Sequence, residues 1–185
     1  MELHKSTQMV DMIYTLLEKD HPLVHSELPE YVDSDEVNRK EFSDSMVESM
    51  KHWGGIGLSA NQVGFSHRMF VMGDNEHYIC CWNPKIIVES EDQVPIEEGC
   101  LTYPGLFVKI RRPDWIEVEF EDENGEKHTD TFEGLMCRVF QHEMDHMDGI
   151  DFTSRAKKMD LNIAKRKLKR GKLKLKRAHG KDMLA

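Results

Sequence analysis

No stretch of 18 consecutive apolar residues occurs anywhere in the 185 residues, so the chain offers no candidate for a membrane-spanning helix. Its opening residues lack the pattern of a signal peptide and the Arg/Ser-rich character of a transit segment, and the expectation is a cytoplasmic protein. Cysteine is scarce. Cys80, Cys81, Cys100 and Cys137 include an adjacent pair and form no framework of spaced pairs, which excludes a disulfide-stapled scaffold and implies reduced thiols. The glycine-rich segment 54–64 has neither a P-loop lysine nor a Gly-x-Gly-x-x-Gly spacing, which argues against a phosphate cradle. Apolar residues make up 39% and aromatic residues 8%, enough to pack one core and too much for a disordered chain. At this length there is room for one catalytic domain and little more.

The most informative segment present is Gln141-His142-Glu143-Met144-Asp145-His146. On a helix, residues four apart share a face, so His142 and His146 can hold one metal ion. Glu143 is then placed to act as general base on a water bound to that ion. Phe132, Leu135, Met136, Val139, Phe140 and Met147 recur at roughly helical spacing, and Gly149 is a plausible stop. The plainer reading is two surface histidines on an amphipathic helix.

A catalytic ion usually has three protein ligands and one open position, and the usual downstream sources of the third are missing. The position six residues after His146 is Phe152, no Glu follows Glu143, and the only later His is His179, in a lysine-rich tail. An upstream Asp, His or Cys must complete the set. Cys100 is the best candidate, in Glu97-Glu98-Gly99-Cys100-Leu101-Thr102-Tyr103-Pro104-Gly105. A thiolate binds zinc or ferrous iron well, and Gly99 permits close backbone approach. The alternative is that Cys100 is a small buried hydrophobe. A third segment, Gly55-Ile56-Gly57-Leu58-Ser59-Ala60-Asn61-Gln62, is rich in small residues that let a substrate lie against the backbone. Gln62 could donate to a developing oxyanion, although a purely structural turn is an equal alternative.

Taken together and in this order, the three segments resemble peptide deformylase, whose pattern is Gly-x-Gly-x-Ala-Ala-x-Gln, then Glu-Gly-Cys-x-Ser, then Gln-His-Glu-x-Asp-His-x-x-Gly. The resemblance runs from about residue 10 to about residue 155 and includes Arg112-Pro113 and Arg138. Ser59 stands where the family has Ala and Thr102 where it has Ser; both keep the side chain small. The resemblance implies hydrolysis of the N-formyl group from the initiator methionine of nascent peptides. Cys100, His142 and His146 would hold one divalent ion, ferrous iron first, with zinc, nickel or cobalt as substitutes. Glu143 would be the general base. The metal, Gln62 and, by analogy with the family, the Leu101 backbone N–H would stabilise the oxyanion. Substrate would lie along Ile56, Gly57 and Gly99. Met136, Cys137, Val139 and Ile56 are candidates for the methionine pocket. The host would be a bacterium or, for a phage-encoded copy, the cytoplasm of its bacterial host.

Charge divides the chain. Residues 155–185 hold thirteen Lys or Arg against two Asp, a tail of +11; with −9 overall, residues 1–154 carry −20. A basic tail on an acidic body points to a polyanionic partner, and the resemblance points to ribosomal RNA. A solvated tail is the alternative. We therefore expect a catalytic unit over 1–154 and a basic tail over 155–185. The expected fold is α+β: small strands, mixed or antiparallel, around one central helix carrying the His pair. Helices are expected over 1–17 (capped by Ser6 or Thr7), over 36–51 (capped by Asp33, Ser34 or Asp35) and over 159–170, with Gly171 ending the last. Strands are expected at 68–72, 78–82, 85–89, 95–100, 106–110, 115–120 and 128–132, with a hairpin turn at Asn124-Gly125.

Overall fold

The computed structural model describes residues 12–33, 37–74 and 76–182, with side chains described to residue 173. Helix α1 spans Arg39–His52. The strands are β1 (Gly57–Ser59), β2 (Met69–Gly73), β3 (Tyr78–Glu89), β4 (Gln93–Gly99), β5 (Phe107–Pro113), β6 (Trp115–Glu121) and β7 (Lys127–Glu133). Helix α2 covers Gly134–Met147 and α3 covers Lys158–Asp182. A five-stranded antiparallel sheet runs in the order β1-β2-β3-β6-β7, and β4 pairs with β5 as a separate hairpin. This is the expected α+β fold.

Alternation along β2 and β3 builds two cores. Phe70, Met72 and Cys81 face one side of the sheet and pack with Val139, Phe140, Met144 and Met147 of α2. Met69, Val71, Cys80 and Trp82 face the other side and pack with Phe42, Met46, Val47 and Met50 of α1. Successive strand residues point to opposite faces, so adjacent Cys80 and Cys81 belong to different cores. Helix α2 is the centre of the molecule. Every residue from Cys137 to Met147 is buried, because the large sheet covers one side and the β4–β5 hairpin the other. The hairpin is held by Gln141 Nε2 to Pro113 O (3.1 Å) and by Arg138 to Val94 O and Ile110 O. A third cluster joins Leu106, Val108, Ile110 and Phe152 to Leu161, Ala164 and Leu168 of α3.

The end of α2 fixes where the His pair sits. Ile150 N–H donates to Asp145 O at 2.8 Å and Gly149 N–H to His146 O at 3.3 Å, the two bonds of a Schellman stop. Gly149 has φ +67°, and a Cβ there would lie 2.7 Å from His25 O and 2.8 Å from Glu27 N. Gly149→Ala should therefore lower stability by at least about 2 kcal/mol, since left-handed strain and a backbone clash add. Urea unfolding checks this; a midpoint within error of the wild type would contradict it.

Several local expectations need correction. Residues 12–17 are not helical; residues 1–11, with the expected Ser6 or Thr7 cap, lie outside the described residues. Their backbone partners come from tertiary contacts: Tyr14 N–H donates to Ser49 Oγ, Leu17 N–H to Gln62 O, and Tyr14 O accepts from Trp53 Nε1. Helix α1 starts later than expected and is capped by Asn38, whose side chain accepts from Glu41 N–H at 3.1 Å. Asp33 instead holds Arg39 (2.6 Å), and Ser34 and Asp35 lie outside the described residues. The strands expected at 78–82 and 85–89 are one strand with an irregularity at Asn83, φ +49°. The Asn83 side chain pairs with both backbone groups of Tyr31 (2.7 and 3.0 Å), which stabilises an uncommon conformation. Helix α3 continues through Gly171, because one glycine costs only about 1 kcal/mol among strong helix formers. Among the described residues no helix is long and apolar enough to cross a membrane.

Candidate metal centre

Helix α2 presents His142 and His146 on one face, and the turn after β4 brings Cys100 to them. The ligand-type atoms of Cys100, His142 and His146 all lie within 4.8 Å of one another, with Cys100 Sγ 3.3 Å from His146 Nε2. His142 Nδ1 pairs with Glu98 Oε2 at 3.0 Å. That bond sets the ring so that its other nitrogen faces the cluster, the usual second partner of a metal-binding imidazole. Burial alone would raise the Cys100 thiol, but His146 and His142 overcome it and hold the thiol well below its ordinary range. Burial likewise works against charge on His142, yet Cys100 and Glu98 push it up to about 10. A sulfur pulled towards its anionic form and imidazoles pulled towards their cationic form thus share one buried pocket, which is an environment that favours a divalent cation among the three groups. Sulfur, two nitrogens and a short mutual spacing suit iron, zinc, nickel or cobalt.

Glu143 is buried beside the cluster. Burial pushes its carboxyl up to about 7, against the pull of His146 and His142, and its Oε2 has no hydrogen-bond partner. A buried carboxylate with a free oxygen and a pKa near neutrality has the properties of a general base. Strand β1 crosses close to it: a Cβ on Gly57 would run into Glu143 Oε1 and lie 2.9 Å from Val139 Cγ1. Gly99 is the counterpart on β4, where a Cβ would meet the Phe107 ring at 2.7 Å.

Gln62 sits in the 3₁₀ turn Ala60–Val63 that follows β1. Its Oε1 accepts from Ser59 N–H and Ser59 Oγ, both at 3.0 Å, and its Nε2 donates to Thr102 Oγ1 at 3.0 Å. The same Nε2 lies 3.5 Å from Cys100 Sγ. Asn61 Nδ2 donates to His146 O at 2.8 Å and ties this turn to the end of α2.

Behind the cluster runs a buried ion network with no counterpart among the expected site residues. Glu98 accepts from Arg112 Nε (2.7 Å) and Nη2 (2.9 Å) and from Arg138 Nη1 (2.8 Å), besides His142. Burial would raise the Glu98 carboxyl; His142, Arg112 and Arg138 hold it at about 2 instead. Arg112 reaches on to Asp145 (2.8 Å), which also holds Arg155 (2.6 Å). Glu98, Arg138 and Asp145 lie within or beside the motifs and Arg112 lies ten residues after the second, but Glu98 meets Arg138 across 40 residues and His142 across 44, and such pairing has no signature in spacing.

The cluster opens into a cleft of about 660 Å³. Ile56, Gly57, Gln62, Gly99, Cys100, Leu101, Val139, His142 and Glu143 line it, and of the expected metal ligands, catalytic groups and backbone contacts His146 alone is not at its wall. Cys137 and Met136, expected in the methionine pocket, lie elsewhere. Cys137 packs beneath Pro113, with Sγ 3.5 Å from Pro113 O, and Met136 packs on the α2 core. Ile96, Phe107 and Leu135 line the cleft instead. The three are 36%, 59% and 60% exposed, an apolar rim beside a polar centre, as in many ligand clefts.

A sequence profile described as polypeptide deformylase matches residues 13–162. The peptide deformylase of Thermotoga maritima is 40% identical over 136 residues, 74% of this chain and 80% of that protein. The crystal structure of the Thermotoga maritima peptide deformylase matches with a TM-score of 0.75 at 35% identity, covering 79% of this chain and 99% of that one. The peptide deformylase of Synechococcus elongatus, solved in complex with actinonin, matches with a TM-score of 0.77 at 31% identity, covering 83% and 85%. The chain thus belongs to the polypeptide deformylase family, metal-dependent hydrolases that remove the N-formyl group from nascent peptides.

Proposed function

We propose that Cys100, His142 and His146 hold one ferrous ion and that Glu143 is the general base of deformylation. The observation that carries this reading is the buried Cys100–His142–His146 cluster with the partner-free Glu143 carboxylate beside it. The ion would supply a Lewis acid, lowering the pKa of water and offsetting charge on the formyl oxygen. Glu143 takes a proton from the attacking water as its oxygen adds to the formyl carbon. The Nε2 hydrogen of Gln62 not used by Thr102 and, by analogy with the family, the Leu101 backbone N–H donate to the oxyanion. Each such donor is worth about 3 kcal/mol of barrier. Glu143 returns the proton to the leaving nitrogen, the C–N bond breaks, and formate and a free amine result.

Substrate placement follows from two strand edges that face one cleft. Strand β1 ends the large sheet and β4 the small one, so an extended peptide can pair with Ile56–Gly57 on one side and Gly99 on the other. The glycines keep both edges close to the Glu143 carboxylate and the Phe107 ring, where a side chain at 57 or 99 would collide. Ile56 and Val139, with Ile96 and Leu135, offer apolar surface for the methionine side chain.

Ferrous iron beside a thiolate is open to oxidation of both metal and sulfur. Protein prepared without oxygen and loaded with ferrous iron should release formate from a formyl-Met-Ala-Ser peptide, and aerobic handling should remove most of that turnover while a nickel-loaded form keeps it. Equal turnover from aerobic and anaerobic iron preparations would argue against iron.

We assign the chain to the cytoplasm of a bacterium or of a phage-infected bacterium, where nascent formylated chains occur. Its organisation would be a catalytic unit to residue 154 with a basic segment from 155, whose first helical turns rest on the body through Leu161, Ala164 and Leu168. The further cations, from Lys172 onward, suit ribosomal RNA. Phosphate contacts make such binding steeply salt-dependent. A form ending at Arg170 should bind ribosomes at least about tenfold more weakly at low salt. Equal binding in co-sedimentation would remove this part of the proposal.

A further inference from the structure

Ser59 stands where the family pattern has alanine, and it is fully buried (0% exposed) at the end of β1. Its hydroxyl has two acceptors in reach, Asn61 Oδ1 at 2.8 Å and Gln62 Oε1 at 3.0 Å. The first belongs to the amide that holds His146 O, the second to the amide beside the Cys100 sulfur. An amide side chain has two donor hydrogens and two acceptor sites. In Gln62 the oxygen meets the Ser59 N–H and hydroxyl, one N–H donates to Thr102 Oγ1 at 3.0 Å, and the other is directed at Cys100 Sγ in a long 3.5 Å contact. Turning the amide over would set its NH₂ against the Ser59 backbone N–H, donor against donor, which any residue at 59 would oppose; the hydroxyl adds the one contact to Gln62 Oε1 that needs the serine side chain. The contacts therefore select one orientation and hold the second hydrogen at the cluster, in a long contact to sulfur that an oxyanion can replace.

We infer that Ser59 is a positioning residue: its buried hydroxyl, sharing its one hydrogen between Asn61 Oδ1 and Gln62 Oε1, adds to the backbone contact that holds the Gln62 amide, so that the second N–H stays directed at the cluster where the formyl group reacts. The inference rests on the reading of Gln62 as an oxyanion donor and adds a role that an alanine cannot fill. Holding the donor in place before substrate arrives lowers the barrier without tightening ground-state binding. The effect therefore belongs in kcat rather than KM.

The test is a double-mutant cycle on the metal-loaded enzyme with Ser59→Ala, Gln62→Leu and the pair. Ser59→Ala should lower kcat about 3- to 10-fold, the range for loss of one buried hydrogen bond, with KM and metal content unchanged. In the Gln62→Leu background the same substitution should change kcat less than about twofold. A second readout is independent of turnover: the side-chain NH₂ of Gln62, followed by NMR in the protein without substrate, should exchange with solvent at least about tenfold faster in Ser59→Ala. An equal kcat loss in both backgrounds, or unchanged kcat and exchange in Ser59→Ala, would overturn the inference while leaving Gln62 as a donor. Wild-type kcat in Gln62→Leu would overturn the donor reading itself and this inference with it.

Discussion

Glu143→Gln is expected to lose about 10³-fold in kcat while the fold and the metal content stay as they are. Proton transfer by a positioned side chain contributes roughly 10²–10⁴-fold to such reactions, and Glu143 is asked both to take the proton from water and to return it to nitrogen. The amide keeps the shape of the carboxylate and cannot accept a proton. No stability should be lost, because Glu143 Oε2 has no partner to lose and a neutral group is easier to bury than a charged one. The same residue sets the acid limb of the pH profile. Burial pushes its pKa up to about 7, a nearby cation draws it down, and only the ionised form works as base. The ratio kcat/KM should therefore fall about tenfold per unit of pH below a midpoint at or under pH 7. Stopped-flow or coupled formate assays from pH 5 to 9 check this. A variant that turns over within tenfold of the wild type would remove Glu143 from its role.

Glu98→Ala should be the most damaging single change to the fold. It leaves Arg112, Arg138 and His142, all buried, without the carboxylate they share. Uncompensated buried charge of this kind costs about 3–5 kcal/mol, and an unsupported imidazole costs about 10- to 100-fold in metal affinity. The pH dependence has a definite sign. The Glu98 carboxyl lies at about 2 in the fold against 4.5 ordinarily, so its ionised form stabilises the fold fully above about pH 4.5. That contribution disappears as pH falls towards 2. The stability gap between wild type and Glu98→Ala should thus be widest near neutrality and shrink below about pH 4.5. Urea unfolding of the metal-free proteins at pH 7 and pH 4 measures both. A loss under about 1 kcal/mol at pH 7 would mean that the network contributes as little as an exposed ion pair.

What was legible in the sequence was whatever is encoded over short spacing. His142 and His146 are four apart on a helix that the apolar pattern of Leu135 to Met147 makes visible. Cys100 stood out because the ligand set lacked a member, and the fold places it 3.3 Å from His146. The strands around α2 were readable from their alternation and from Asn124-Gly125. Long-range pairing was not readable. Glu98 meets His142 across 44 residues and Arg112 across 14, and nothing in local composition marks it as more than a charged neighbour of Cys100. Strand β1 was hidden inside a glycine-rich stretch, where the small residues that suggest a loop are needed for close approach to Glu143 and Val139. Residues 12–17 have a helical apolar pattern, but Ser49, Gln62 and Trp53 supply their hydrogen-bond partners. Ser59 differs from alanine by one hydroxyl, and sequence alone does not show the two amide oxygens that it meets.

The central claim is that one cluster, Cys100–His142–His146 with Glu143, performs deformylation. The most direct test measures metal content and formate release on the same anaerobic samples of the wild type, Cys100→Ala and Glu143→Ala, with a formyl-Met-Ala-Ser peptide. The account predicts one metal and turnover in the wild type, neither in Cys100→Ala, and one metal without turnover in Glu143→Ala. Full metal and turnover in Cys100→Ala, or turnover in Glu143→Ala, would contradict it.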